Sequence, residues 1–232
     1  MVENDLQKLQ GKKFIASYSG GKDSMLAIYR AIQAGLSPLE LITTYNTDAG
    51  RSWFHGITEN IIRKVSDSLG ISVKLIKTSG EKYEENFEKA LTDAKNRGAQ
   101  VCVFGDIDIE GHLEWCSARC EKTGLVACFP LWKEQRKKVV CEFIDAGFSA
   151  LVTIIDANRV SKEFSGQVLT KELADSIERG GADICGENGE YHTFVFDGPI
   201  FKNRIELYIG EKFEKDNYCI LNIEIREPAN KS

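Results

Sequence analysis

Two stretches of this 232-residue chain concentrate the side chains that chemistry needs. The first is Ser19-Gly20-Gly21-Lys22-Asp23-Ser24, set between the apolar run Phe14-Ile15-Ala16 and the helix-like stretch Met25–Arg30. A strand that passes through a glycine turn into a helix leaves free backbone N–H groups at the helix start, where the macrodipole favours an anion. Two glycines let the backbone approach a phosphate without an intervening Cβ. Lys22 adds a positive charge, and Ser19 and Ser24 add hydroxyl donors. Asp23 would repel bound phosphates unless a divalent cation sat beside it, so the stretch points to Mg²⁺ with Asp23 as its ligand.

A Walker A loop is excluded at two positions. It needs a hydroxyl after the lysine, where Asp23 stands, and a first glycine where this chain has Ala16. The second stretch is Cys185-Gly186-Glu187-Asn188-Gly189-Glu190-Tyr191-His192-Thr193. Two carboxylates, an imidazole, a phenol and an amide share one glycine-hinged loop. Glu187 and Glu190 suit an amine or ammonium and its deprotonation, and His192 suits a general base or an orienting donor. A solvated turn is the competing reading.

The elements that must position these residues alternate. Lys13–Tyr18, Leu39–Tyr45, Ile71–Ile76 and Val101–Phe104 have the apolar composition of buried strands. Between them lie helical patterns at Asp23–Ala34, His55–Leu69 and Tyr83–Arg97, each followed by a glycine. Such an order predicts an α/β doubly wound parallel sheet with ligands at the carboxyl ends of its strands. The fourth strand runs into Gly105-Asp106-Ile107-Asp108 at that same edge, so Gly105 and Asp106 are assigned to the nucleotide site. An acidic helix cap is the alternative for Asp106. Cys116 and Cys120, one helical turn apart, fit packed core better than metal ligation.

Around Phe129-Pro130-Leu131-Trp132 the pattern changes. A domain boundary is expected there, giving residues 1–130 for nucleotide binding and 131–232 for a smaller α+β substrate domain. Its expected elements are a helix over Lys133–Ala146, a strand over Ala150–Ile155 and a helix over Thr170–Arg179. Strands over Thr193–Phe196, Arg204–Phe213 and Tyr218–Ile225 follow, and Pro228–Ser232 is expected to fray.

Composition narrows the classes. Hydrophobic content of 42% and charged content of 28% are those of a soluble globular protein. A net charge of −5 argues against a broad nucleic-acid or membrane surface. No apolar run nears the ~20 residues of a membrane span. The polar start Met1-Val2-Glu3-Asn4-Asp5 is unlike a secretory signal. Seven irregularly spaced cysteines fit reduced thiols and a cytoplasmic setting.

Ser19–Ser24 resembles the PP-loop, Ser-Gly-Gly-x-Asp-Ser, of the ATP pyrophosphatases in the adenine-nucleotide alpha hydrolase (HUP) superfamily. That likeness implies a grip on the β and γ phosphates and cleavage of ATP to AMP and pyrophosphate. Trp115, Cys120, Gly124-Leu125, Pro130-Leu131-Trp132, Gly186-Glu187-x-Gly189-Glu190-Tyr191 and Asp197-Gly198-Pro199-Ile200-Phe201 extend it. Together they resemble the diphthine–ammonia ligase family over residues 13 to 201. The resemblance implies an ATP-dependent ligase that adenylates an acceptor carboxylate or amide for attack by ammonia or an amine. ATP and Mg²⁺ would be held by Ser19, Gly20, Gly21, Lys22, Asp23, Ser24, Gly105 and Asp106. Lys22, Asp23, Glu187, Glu190 and His192 would carry the catalysis.

One departure bears on the acceptor. Where the family typically has Gly-Glu-Gly-Gly-Glu-Tyr-Glu-Thr, Asn188 replaces a glycine and His192 the last glutamate, a form like that of bacterial relatives. A glutamate attracts the fixed trimethylammonium of diphthine; a protonated histidine does not. The substitution puts diphthine in doubt as the acceptor and leaves a small molecule or modified residue, with a cobalamin-related compound one candidate. Transfer of sulfur to a tRNA base and a non-catalytic adenine-nucleotide-binding module are the rival readings. Homo-oligomerisation is compatible with the sequence.

Overall fold

The computed structural model describes residues 2–52 and 55–226. The expectation for Pro228–Ser232 lies outside those residues. Contacts divide the chain into two compact units: residues 1–59 with 71–135, and residues 60–70 with 136–232.

The first unit is built on a mostly parallel sheet. β1 (Lys13–Ser17) pairs in parallel with β2 (Ser37–Asn46) and β5 (Val101–Val103), and β5 pairs in parallel with β6 (Val126–Cys128). Leu41 and Ile42 of β2 have partners in both β1 and β4 (Val73–Thr78), so β4 lies on the opposite edge of β2 from β1. The parallel run is thus β4-β2-β1-β5-β6, and its order reverses between β1 and β5. In open α/β sheets ligands bind at that reversal. The expected α/β sheet is the one observed.

β3 (Arg51–Ser52) runs antiparallel to Tyr45 and Asn46 of β2, residues whose other edge is taken by β4. It therefore sits on the β1 side of β2, beyond the end of β1. Its helices are α1 (Lys22–Gln33), α3 (Tyr83–Asn96) and α4 (Glu110–Thr123), whereas α2 (Glu59–Leu69) clusters, from Asn60 on, with the second unit. Ile15, Ile42, Leu91, Cys102, Cys120 and Phe129 belong to one buried apolar cluster of this unit.

The second unit carries an antiparallel sheet ordered β8-β7-β10-β9. Its strands are β7 (Ser149–Asp156), β8 (Tyr191–Asp197), β9 (Leu207–Lys215) and β10 (Tyr218–Ile225). It also holds α5 (Arg136–Asp145) and α6 (Lys171–Arg179), with Thr170 capping α6 through its hydroxyl.

Several expected boundaries move, each for a local reason. The helix expected from His55 begins at Glu59, because the hydrogen bonds between Ser52 and Ile57 hold a turn there instead. The helix expected from Lys133 begins at Arg136: Lys133 has φ +60° and gives its N–H to Ile107 O, neither compatible with a helical start. The strand expected from Arg204 begins at Leu207. β6 has no counterpart among the sequence expectations. No helix among the described residues is long and apolar enough to cross a membrane.

Candidate active site

In the first unit, the β1–α1 junction folds the Ser19–Ser24 stretch back on itself. Gly20 takes φ +95°, a conformation few other residues adopt. The Ser24 hydroxyl is the hub: it donates to Gly21 O at 3.0 Å and accepts from Ser19 N–H at 3.3 Å. The Ser19 hydroxyl lies 3.1 Å from it and accepts the Gly21 N–H at 3.2 Å. Gly21 is the N-cap of α1 and supplies no side-chain cap. An anion suits that place.

Lys22 is buried, and its Nζ lies 2.7 Å from Asp23 Oδ2. The two charges expected to meet phosphate and cation therefore meet each other in this structure. The β5 loop forms one wall. A Cβ on Gly105 would come within 2.6 Å of Ser24 N, so the backbone of Gly105 lies directly against the start of α1. Asp106, next in sequence, places Oδ1 3.0 Å from His112 Nδ1 rather than capping a helix.

Sequence reasoning missed His55. A Cβ on Gly21 would lie 2.6 Å from His55 Cε1 and 3.1 Å from its Nε2, so the imidazole edge covers the loop at that glycine. Gly21 has an ordinary extended backbone, φ −86° and ψ 169°, so it is the ring that leaves no room for a side chain there. Two elements bring His55 to this place. β3 lies beyond the end of β1, and the turn after it is pinned by Ser52 N–H to Ile57 O at 2.9 Å and Ile57 N–H to Ser52 Oγ at 3.0 Å. Arg51 adds a bond to Gly56 O at 3.3 Å. No spacing in the sequence ties a histidine to a glycine so far away along the chain.

In the second unit, Glu187, Glu190 and His192 stand close along one segment, with different surroundings. Glu190 is 1% exposed. Its carboxylate accepts from Arg159 Nη2 at 2.6 Å, Asn188 N–H at 3.0 Å, Asn188 Nδ2 at 3.2 Å and Asp183 N–H at 3.3 Å. Burial pushes its pKa up, but its own backbone N–H, Asn188, the Asp183 N–H and the Arg159 charge outweigh burial and hold it below the usual value. Asp183, which the sequence reading did not single out, mirrors it. It accepts from Cys185 N–H at 3.2 Å and Glu187 N–H at 2.8 Å, and pairs with Arg136 at 2.8 Å.

The loop from Asp183 to Glu190 is thus tied down at both ends by a carboxylate. Gly186, at φ +72°, allows the turn, and a Cβ there would strike Tyr191 O at 2.7 Å. Tyr191 is buried, its hydroxyl donating to Ile184 O. His192 lies in β8 opposite Ile154, half-buried, on the face that alternation turns away from Tyr191. Glu187 is also half-buried.

Six of the seven thiols lack the exposure a sulfur carrier needs. Cys102, Cys116, Cys120, Cys128, Cys185 and Cys219 are buried. Burial raises the pKa of Cys102 and Cys116, and pushes Cys128 up to about 12.

Against known proteins, the family model described as "Diphthamide synthase N-terminal domain" matches residues 12–127. That described as "Diphthamide synthase C-terminal domain" matches residues 135–227. A protein of Homo sapiens named "Diphthine--ammonia ligase" is 28% identical over 82% of this chain and 80% of its own length. Its namesake in Danio rerio is 22% identical over 83% of this chain and 85% of its own. That of Schizosaccharomyces pombe is 21% identical over 91% of this chain, which spans only 39% of that relative's length. A solved structure, titled as a predicted subunit of tRNA methyltransferase from Methanocaldococcus jannaschii, covers 83% of the chain at 15% identity and a TM-score of 0.44. A likeness that slight carries no argument about fold or function.

Proposed function

The chain belongs to the diphthamide synthase family, and from that premise we propose an ATP-dependent, AMP-forming ligase that joins ammonia or an amine to an activated acceptor. The observation that carries the reading is the phosphate-suited loop of residues 19–24 in a chain that both domain models of the family match in order.

The proposed division of labour is between residues 1–130 and residues 131–232. In residues 1–130 the loop N–H groups, Ser19, Ser24 and Lys22 hold the β and γ phosphates, with Gly105 and Asp106 alongside. Lys22 and the start of α1 stabilise the negative charge that grows on departing pyrophosphate. No group of three or more His, Cys, Asp or Glu side chains that could hold a metal occurs among the described residues. Asp23 would be the protein carboxylate for an Mg²⁺ ion at this site, where the ion would neutralise phosphate charge.

In residues 131–232, Glu187 and His192 meet the acceptor and the incoming nitrogen, and Glu190 shapes the loop that presents them. His192 supports an acceptor without the fixed cation of diphthine, whether a small molecule or a modified residue. A cytoplasmic setting remains part of this proposal, as does the ammonia or amine donor.

The test is product analysis with α- and γ-labelled ATP across a set of carboxylate and amide acceptors. The expected result is acceptor-stimulated AMP and pyrophosphate; ADP and phosphate would overturn the proposal. Buried, protonated thiols speak against the sulfur-transfer alternative. A nucleotide-binding module without turnover would bind ATP and release no AMP with any acceptor.

A further inference from the structure

We propose that His55 is a catalytic residue of the nucleotide site, contacting the phosphates that leave as pyrophosphate. The inference rests on the nucleotide reading of residues 19–24 and adds a residue that no part of that motif contains.

Three observations carry it. The imidazole edge, with Cε1 and Nε2 foremost, lies over Gly21 at the N-cap of α1, where the first-turn N–H groups of the helix begin. An anion seated on those groups would come against that edge. The paired hydrogen bonds of Ser52 and Ile57, both residues buried, fix the turn that carries the ring, and β3 anchors the turn to β2. Finally, the loop is bounded by the backbone of Gly105 against Ser24 and by the side chain of His55 against Gly21. Gly105 offers no side-chain donor, whereas an imidazole offers a ring nitrogen that can donate to a phosphate oxygen. As the α-phosphorus to oxygen bond breaks, charge accumulates on the departing group, and a donor held in place beforehand stabilises it without reorganising.

The test separates the phosphate contact from a merely structural one by using two probes. Inorganic pyrophosphate and AMP are titrated separately by calorimetry into the full chain and into His55→Ala, His55→Gln and His55→Asn, with thermal unfolding of each followed by circular dichroism. Loss of one charge-assisted hydrogen bond predicts a fall in pyrophosphate affinity of about ten- to a hundredfold in His55→Ala. AMP affinity should change less than about twofold, within measurement scatter on the same scale. His55→Gln, whose amide can reach the place of Nε2, should recover part of the loss. If His55→Ala does not fold, the Gln and Asn variants decide by the same comparison.

Equal pyrophosphate affinity in variant and parent overturns the proposal. So does a parallel fall for both probes accompanied by a lowered unfolding midpoint. If the parent binds neither pyrophosphate nor AMP, the nucleotide reading falls and His55 with it. If the parent binds both and only the histidine variants are unchanged, this inference alone falls.

Discussion

A methyl group at Gly21 would strike the His55 ring, which must shift to admit it. Gly21→Ala should cost about 1–3 kcal/mol of stability, the usual range for overpacking. Because the obstacle is one side chain, the same substitution in a His55→Ala background should cost well under half as much. A double-mutant cycle by urea denaturation measures the difference. Glu190 gives a second prediction. Its folded pKa lies below the ordinary glutamate value of about 4.3, so its stabilisation is complete above that value and is lost as pH falls through the lower one. Glu190→Gln should therefore remove about 1–3 kcal/mol at neutral pH by leaving Arg159 and two loop N–H groups with a weaker acceptor. It should also flatten the decline of stability toward acid, which denaturation midpoints between neutral pH and about 3 would record. The glycine turn of residues 19–24 was legible in the sequence because its residues are contiguous and their conformation is local. His55, Asp183 and Arg159 were not. Each acts through a partner that only the turns and sheet bring near, and an isolated His, Asp or Arg has no pattern of its own.

Elements were legible where periodicity ran long enough to declare itself. β10 matches its expected bounds, and α3 nearly so, because alternation and a helical stripe persist across them. β6 escaped notice since three residues between a glycine and a Phe-Pro pair show no period; its partner β5 makes it a strand. β3 is two residues long and exists by pairing with the end of β2. The least expected element, β3, is the one that positions His55. Contact between the β5 loop and α1 is also an element-scale matter. Adding a Cβ at Gly105 sets it against backbone, which cannot rotate aside as a side chain can. Gly105→Ala should displace the first turn of α1 and weaken ATP binding by about tenfold or more. Equilibrium titration of ATP would show it, and an unchanged affinity would mean that the two loops move independently.

For the molecule as a whole, burial decides which thiols can react. Cys141 is the one cysteine not fully buried, and the six others are enclosed. A thiol reagent such as Ellman's compound should titrate about one group rapidly in the native chain and the remainder only after denaturation. Rapid reaction at several sites would reopen the sulfur-transfer alternative. The composition of the two units has a different consequence. Residues 60–70 cluster with residues 136–232, although the chain on both sides of them belongs to the first unit. Ser68 O accepts the Lys202 N–H at 2.7 Å, and Gly70 lies against the Lys202 side chain. Neither half can therefore be cut out as a cassette. A fragment that starts after the expected boundary leaves its own eleventh-hour stitching behind in the other piece, and recombination between relatives would have to inherit residues 60–70 and 136–232 together.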